Sequence, residues 1–151
     1  MAVFQRNINI RLVARNPADA GRFVVGDTVA WAGGVWAADA VTGINTITLN
    51  NPGYELAGFI QFVRGPEAPE GLQPFTVAVG LHGGRPWSDI VTGYGGLTLE
   101  QISRWYRGNA DRDVLRDLHV TDRNVIHDGT PIRVQYTQIY DNNRDVNVTF
   151  G

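Results

Sequence analysis

Three features lead to a mainly β chain folded as a β-sandwich, with one short helix-loop-helix between two sets of strands. The eighteen glycines and seven prolines are spread along the chain and not massed in one tract, which punctuates it every ten residues or so, the interval usual for short antiparallel strands. Stretches near both ends alternate apolar and polar residues, the period-2 signature of a half-buried strand. Only residues 98–118 change to a helical period of about 3.6.

The elements follow in order. Over residues 4–13, Ile8, Ile10 and Leu12 share one face while Asn7, Asn9 and Arg11 share the other. Arg15-Asn16-Pro17-Ala18-Asp19 ends this strand, because proline fixes φ and donates no N–H, and Asn and Asp favour turns. Short apolar segments at 28–32, 34–38 and 46–49, separated by Gly33-Gly34 and by Thr42-Gly43-Ile44-Asn45, read as β-hairpins with tight turns. Asn50-Asn51-Pro52-Gly53 is a further turn, and Gly58-Phe59-Ile60-Gln61-Phe62-Val63 has the aromatic and β-branched residues of a strand. Residues 65–71, with two prolines and two glutamates, form an exposed connection. Phe75, Val77, Val79 and Leu81 then place a core strand on one face.

Thr98-Leu99-Glu100-Gln101 fits a capping box, Leu99, Ile102 and Tyr106 make one apolar stripe, and Gly108 supplies the stop. A second short helix from about Ala110 is expected to turn Val114, Leu115 and Leu118 inward. The C-terminal hairpin pairs Ile132, Val134 and Tyr136 with Val146, Val148 and Phe150 across the polar turn at 141–145.

At 151 residues with 43% hydrophobic composition, the chain suffices for one core, so residues 1–151 are read as one domain. A net charge of -2 and the lack of any basic run beyond a pair leave nothing for counterion release to act through, so nucleic acid is excluded as a partner. Without cysteine, neither disulfides, thiolate catalysis nor cysteine-ligated zinc can occur. No apolar stretch approaches the roughly 18 residues of a membrane span, and no secretory signal is legible, which points to the cytoplasm or to a released form of the chain.

The chemistry concentrates in Gly80-Leu81-His82-Gly83-Gly84-Arg85-Pro86-Trp87-Ser88-Asp89-Ile90-Val91-Thr92, which places a turn, an aromatic, a carboxylate and a hydroxyl at the mouth of a strand. An ionised Asp89 can accept hydrogen bonds from a pair of adjacent sugar hydroxyls, or can cap a turn or pair with an arginine. Trp87 can offer an indole face to a pyranose, or be core. Arg112, near the start of the second helix, can reach a carboxylate or a sugar oxygen, or lie on a solvated face. His82, His119 and His127 lack the spacing of a zinc site, so no metal is expected, nor any other cofactor. His82, Ser88 and Asp89 lack the Gly-x-Ser-x-Gly elbow of a nucleophile. Binding without catalysis is the reading these residues support.

The pair of elements Val79-Gly80-Leu81-His82 and Arg85-Pro86-Trp87-Ser88-Asp89-Ile90-Val91-Thr92 resembles the fungal fruit-body lectins, which carry Gly-Val-His-Asn and Trp-Cys-Asp-Ile-Val-Thr at the same separation. Ile8-Asn9-Ile10-Arg11, Gly33-Gly34-Val35-Trp36, the helix ending at Gly108 and the tail from Val146 to Gly151 extend the likeness over nearly the whole chain. The resemblance implies an actinoporin-like β-sandwich that binds sugars, is often a homo-oligomer such as a tetramer, and has no enzymatic activity. It implies an N-acetylglucosamine site on Asp89, Ile90, Thr92 and Arg112, with Arg123 standing where the family has a tyrosine. A second site, for galactose or N-acetylgalactosamine, would fall at Gly53, His82 and Gly83, the last in place of an asparagine. Two alternatives remain open: a membrane-active, pore-forming relative, which needs a detachable amphipathic N-terminal helix where this chain alternates with period 2, and an interaction module with a vestigial sugar site.

Overall fold

A computed structural model of the chain describes residues 6–31, 34–38, 46–51, 56–94, 96–138 and 143–151. Its strands are β1 (Arg6–Ala14), β2 (Phe23–Trp31), β3 (Val35–Ala38), β4 (Thr46–Asn51), β5 (Leu56–Arg64), β6 (Phe75–His82), β7 (Arg85–Val91), β8 (Asp122–His127), β9 (Thr130–Gln138) and β10 (Asn143–Phe150). Helices α1 (Leu99–Arg107) and α2 (Ala110–Asp117) stand between β7 and β8. Among the described residues the strands form a six-stranded sheet, β3-β4-β1-β10-β9-β8, and a four-stranded sheet, β2-β5-β6-β7. The helix pair therefore carries the chain from the smaller sheet back to the larger one, as its place in the sequence implied.

Alternation settles which faces meet. Ile8, Ile10 and Leu12 of β1, Ile132, Val134 and Tyr136 of β9, and Val146, Val148 and Phe150 of β10 pack in the central core against Phe75, Val77, Val79 and Leu81 of β6. The outer face of the smaller sheet has its own apolar layer: Ala57, Phe59, Ala78, Trp87 and Val91 meet Leu99, Ile102 and Tyr106 of α1. Strand β6 is thus buried on both faces, and only its last residue, His82, is exposed. The β6–β7 turn runs through Gly83 (φ +59°) and Gly84 (φ +79°), between the paired residues His82 and Arg85. Two consecutive positive φ angles suit a tight hairpin, and glycine adopts them without steric cost.

The α1 capping box is present in full: Thr98 Oγ1 accepts from the Gln101 amide at 3.2 Å, and Gln101 Oε1 accepts from the Thr98 amide at 2.9 Å. Gly108 is the C-cap.

Three expectations are corrected. Strands β2 and β3 make no hairpin: β2 starts at Phe23 and pairs with β5, whereas β3 pairs with β4 in the other sheet, so the chain changes sheets between them. Strand β8 forms where no strand was expected, at the end of the larger sheet. In α2, Val114 and Leu118 are 50% and 68% exposed, and only Leu115 of the three is partly covered. Arg112 and Arg116 take the inward face instead, Arg112 toward Asp89 and Arg116 over the Trp87 ring at 5.9 Å.

Candidate functional site

Strand β7 is the edge of the smaller sheet, so alternate amides of its free side have no strand to bond. Two of them are satisfied locally. The Ser88 amide donates to the Val120 carbonyl at 2.7 Å, and the Ile90 amide donates to Oδ1 of Asp89 at 2.7 Å. Thr92 lies just past the strand end, half-buried, in a hollow it shares with Gln73, His127 and Asp128.

Asp89 is not at the strand mouth. It pairs with Ala78 inside the β6–β7 ladder and is fully buried, facing the same outer layer as Trp87 and Val91. A buried carboxylate must be paired or lose its charge. Nη1 of Arg112 lies 3.2 Å from both of its oxygens, and Nε of Arg123, arriving from β8, lies 3.7 Å from Oδ1. The Asn109 side chain caps α2 by accepting from the Asp111 amide at 3.0 Å, which sets the first turn that carries Arg112. The guanidinium of Arg112 also stands over the Trp105 ring at 5.8 Å.

Asp89, Arg112 and Arg123, distant in sequence, therefore converge. Ile90 contributes its amide at this edge, while its side chain is buried in the central core. The carboxylate itself is covered by the two guanidinium groups and not open to solvent, whereas the side chains of Arg112 and Arg123 are 26% and 35% exposed. Burial holds the Asp89 carboxyl above its ordinary value of 3.8, against the opposing pull of Arg112, the Tyr106 hydroxyl, the Ile90 amide and Arg123. Tyr106 was visible in the sequence only as part of an apolar stripe; its buried hydroxyl lies in the field of Asp89 without a hydrogen bond of good geometry. Burial and that negative charge push the Tyr106 hydroxyl well above the ordinary tyrosine range.

Ser88 Oγ donates to the Val120 carbonyl at 2.8 Å, and His82 Nε2 pairs with Asp117 at 3.4 Å, so neither is joined to Asp89. What the edge presents is two partly open guanidinium groups anchored on one carboxylate, suited to hydrogen-bonding a neutral or anionic polar ligand.

Of the other expected site residues, Gly53 lies outside the described residues. His82 and Gly83 are exposed at the β6–β7 turn, and His82 stacks beside His119 with ring centroids 6.1 Å apart. They belong to a different part of the smaller sheet from Thr92, at the opposite end of β7. Among the described residues no cluster of His, Asp and Glu could hold a metal ion.

Known proteins share this design over nearly all of its length. The family model for the fungal fruit body lectin matches residues 4–148. The Boletus edulis lectin, of Boletus edulis, is 32% identical over 152 residues, which cover 96% of this chain and 98% of that protein. The crystal structure of the wild-type Xerocomus chrysenteron lectin superposes with a TM-score of 0.77 at 28% identity, over 97% of this chain and 99% of its own. A substituted form of the same lectin gives a TM-score of 0.77 at 27% identity, over 99% of this chain and 100% of its own. A match of this extent, on a fold of two sheets bridged by a helix pair, makes the chain a member of the fungal fruit body lectin family.

Proposed function

We propose that the protein binds carbohydrate without altering it, and that the free edge of β7 is where it does so. Terminal N-acetylglucosamine is the sugar assigned to Asp89, Ile90, Thr92, Arg112 and Arg123, and galactose or N-acetylgalactosamine to the turn at Gly53, His82 and Gly83. The observation that carries the reading is the convergence of Arg112 and Arg123 on Asp89, in a chain whose relatives are named as lectins. Asp89 acts as the anchor: it spends its oxygens on Nη1 of Arg112 and the Ile90 amide, which leaves the remaining donors of Arg112 for sugar oxygens.

Each neutral hydrogen bond to a sugar contributes about 1 kcal/mol net, so one site binds weakly. Repetition in a homo-oligomer, a tetramer in the reading favoured here, would supply avidity. Sedimentation velocity on the purified chain tests that assembly. The pore-forming alternative needs β1 to leave its sheet, yet β1 is hydrogen-bonded to β4 on one side and β10 on the other.

A glycan array at high protein concentration is the test. Binding to terminal N-acetylglucosamine is expected, and Asp89→Asn should lower that affinity by about tenfold or more, because the guanidinium loses its charged anchor. Silence of the parent protein toward every terminal sugar would remove the reading.

A further inference from the structure

The Asp89 edge carries more positive charge than its one carboxylate balances. Arg112 and Arg123 reach the same oxygen: Oδ1 of Asp89 lies 3.2 Å from Nη1 of Arg112 and 3.7 Å from Nε of Arg123. Among the described residues no second carboxylate joins them. Asp122, beside Arg123 in the chain, is taken by two nitrogens of Arg133 at 2.9 and 2.6 Å. Asp113 pairs with Arg116, and the exposed Asp111 reaches neither guanidinium of the edge. One anion and two cations leave a net positive charge, and the two cations repel each other until a further anion meets them.

What the edge offers a ligand is one-sided as well. Asp89 is fully buried, so the acceptors of the cluster are out of reach, and what remains partly open is guanidinium, which donates and never accepts. Arg123 makes no hydrogen bond among the described residues, and its Nε is covered without an acceptor. Arg112 is fixed by both oxygens of Asp89 on Nη1 and by the Trp105 ring 5.8 Å from its guanidinium carbon; the ring engages a face and leaves the other in-plane donors unspent. A sugar hydroxyl gives such a surface an acceptor of ordinary strength. An oxyanion gives it several acceptors together with charge, and bonds to it are roughly twice as strong.

We propose that this edge selects an acidic form of its sugar, an N-acetylglucosamine bearing a sulfate ester or a carboxylate, with the oxyanion held between Arg112 and Arg123. The proposal rests on the carbohydrate-binding reading above for the sugar; the selection by charge comes from the second guanidinium. Arg123 is then the residue that sets specificity, because Asp89 and Arg112 alone form a neutral pair and the surplus arrives with Arg123.

Isothermal titration calorimetry tests it with N-acetylglucosamine, N-acetylglucosamine 6-sulfate, N-acetylmuramic acid and inorganic sulfate, on the parent protein, Arg123→Gln and Arg123→Lys. At least one of the two acidic sugars is expected to bind the parent about tenfold more tightly than plain N-acetylglucosamine, and which one does so identifies the oxyanion. That ratio should fall to about one in Arg123→Gln, persist in Arg123→Lys, and shrink as salt is raised, since both guanidinium groups are partly open to solvent. A thermal melt shows whether each variant is folded; should Arg123→Gln not fold, the parent's ratio and its salt dependence decide. Equal affinity of the parent for plain and acidic sugars, or a ratio unmoved by Arg123→Gln or by salt, would overturn the selection and leave the carbohydrate reading standing. Inorganic sulfate binding as tightly as the sulfated sugar would overturn the sugar part and leave a plain anion site. Silence toward all three sugars would overturn the proposed function and this proposal with it.

Discussion

Asp89 and Arg112 form a pair of unequal exposure, the carboxylate fully buried and the guanidinium partly open. Removing the open partner strands a buried charge, which costs about 3–5 kcal/mol when no other cation remains. Arg123 does remain, 3.7 Å away, so Arg112→Ala is expected near the lower end, about 3 kcal/mol, in urea denaturation. The pH dependence follows from the raised Asp89 carboxyl. A group whose folded value lies above its unfolded one holds a proton in the folded state that the unfolded chain has already released. Its contribution to stability is therefore complete at low pH and is lost as pH rises from the unfolded value through the folded one. Sugar affinity should run the other way, falling as acid protonates Asp89 and frees Arg112, with a midpoint above the ordinary value of 3.8. Calorimetric titration across that range checks the midpoint, and Asp89→Asn should flatten both trends. The sequence offered the two separately, Asp89 as a carboxylate able to pair with an arginine and Arg112 as a guanidinium able to reach a carboxylate, but residues 23 positions apart show no mutual spacing until the fold sets α2 against β7; the resemblance put them in one site. Tyr106 was hidden for a related reason, since a tyrosine in an apolar stripe reads as its ring and not its hydroxyl.

Among the elements, those with clean periodicity were the legible ones. Strands β1, β6, β9 and β10 each bury the alternating residues that their sequences announce, and the Thr98 and Gln101 pair announces the start of α1. Thr98→Ala should cost about 1 kcal/mol in thermal or urea unfolding, the usual worth of such a cap. Helix α2 misled because its apolar residues are not its anchors. With Val114 and Leu118 exposed, replacing either by Lys should change stability by no more than about 0.5 kcal/mol, as at ordinary surface positions. Ile102→Ala, in the layer under α1, should cost about 2–5 kcal/mol by the same measurement. Strand β8 was not read as a strand because its sequence, Asp-Arg-Asn-Val-Ile-His, carries charge at an edge and leaves Ile126 69% exposed. Its support is cross-strand and polar: Nε and Nη2 of Arg133 on β9 donate to the two oxygens of Asp122 at 2.9 and 2.6 Å, holding that carboxyl below its usual range. The switch between β2 and β3 was illegible for another reason, since a turn signal marks where a chain bends and not which sheet it joins next.

For the whole molecule, the decisive pairing is that of β1 with β10, a parallel ladder from Asn7 and Asn143 to Ala14 and Phe150 in the middle of the larger sheet. Deleting residues 143–151 takes out a strand with neighbours on both sides and strips Val146, Val148 and Phe150 from the central core. The expected result is a chain with no cooperative unfolding transition by circular dichroism, however intact its smaller sheet may be in sequence. The same ladder governs when folding can happen during synthesis. Asn9 finds its partner Asp145 across 136 positions of chain, so a ribosome must deliver everything through β10 before the first strand can be enclosed, and contacts so remote in sequence form slowly. Until β10 emerges, that strand waits with one flank unprotected, a template for any other strand that meets it first.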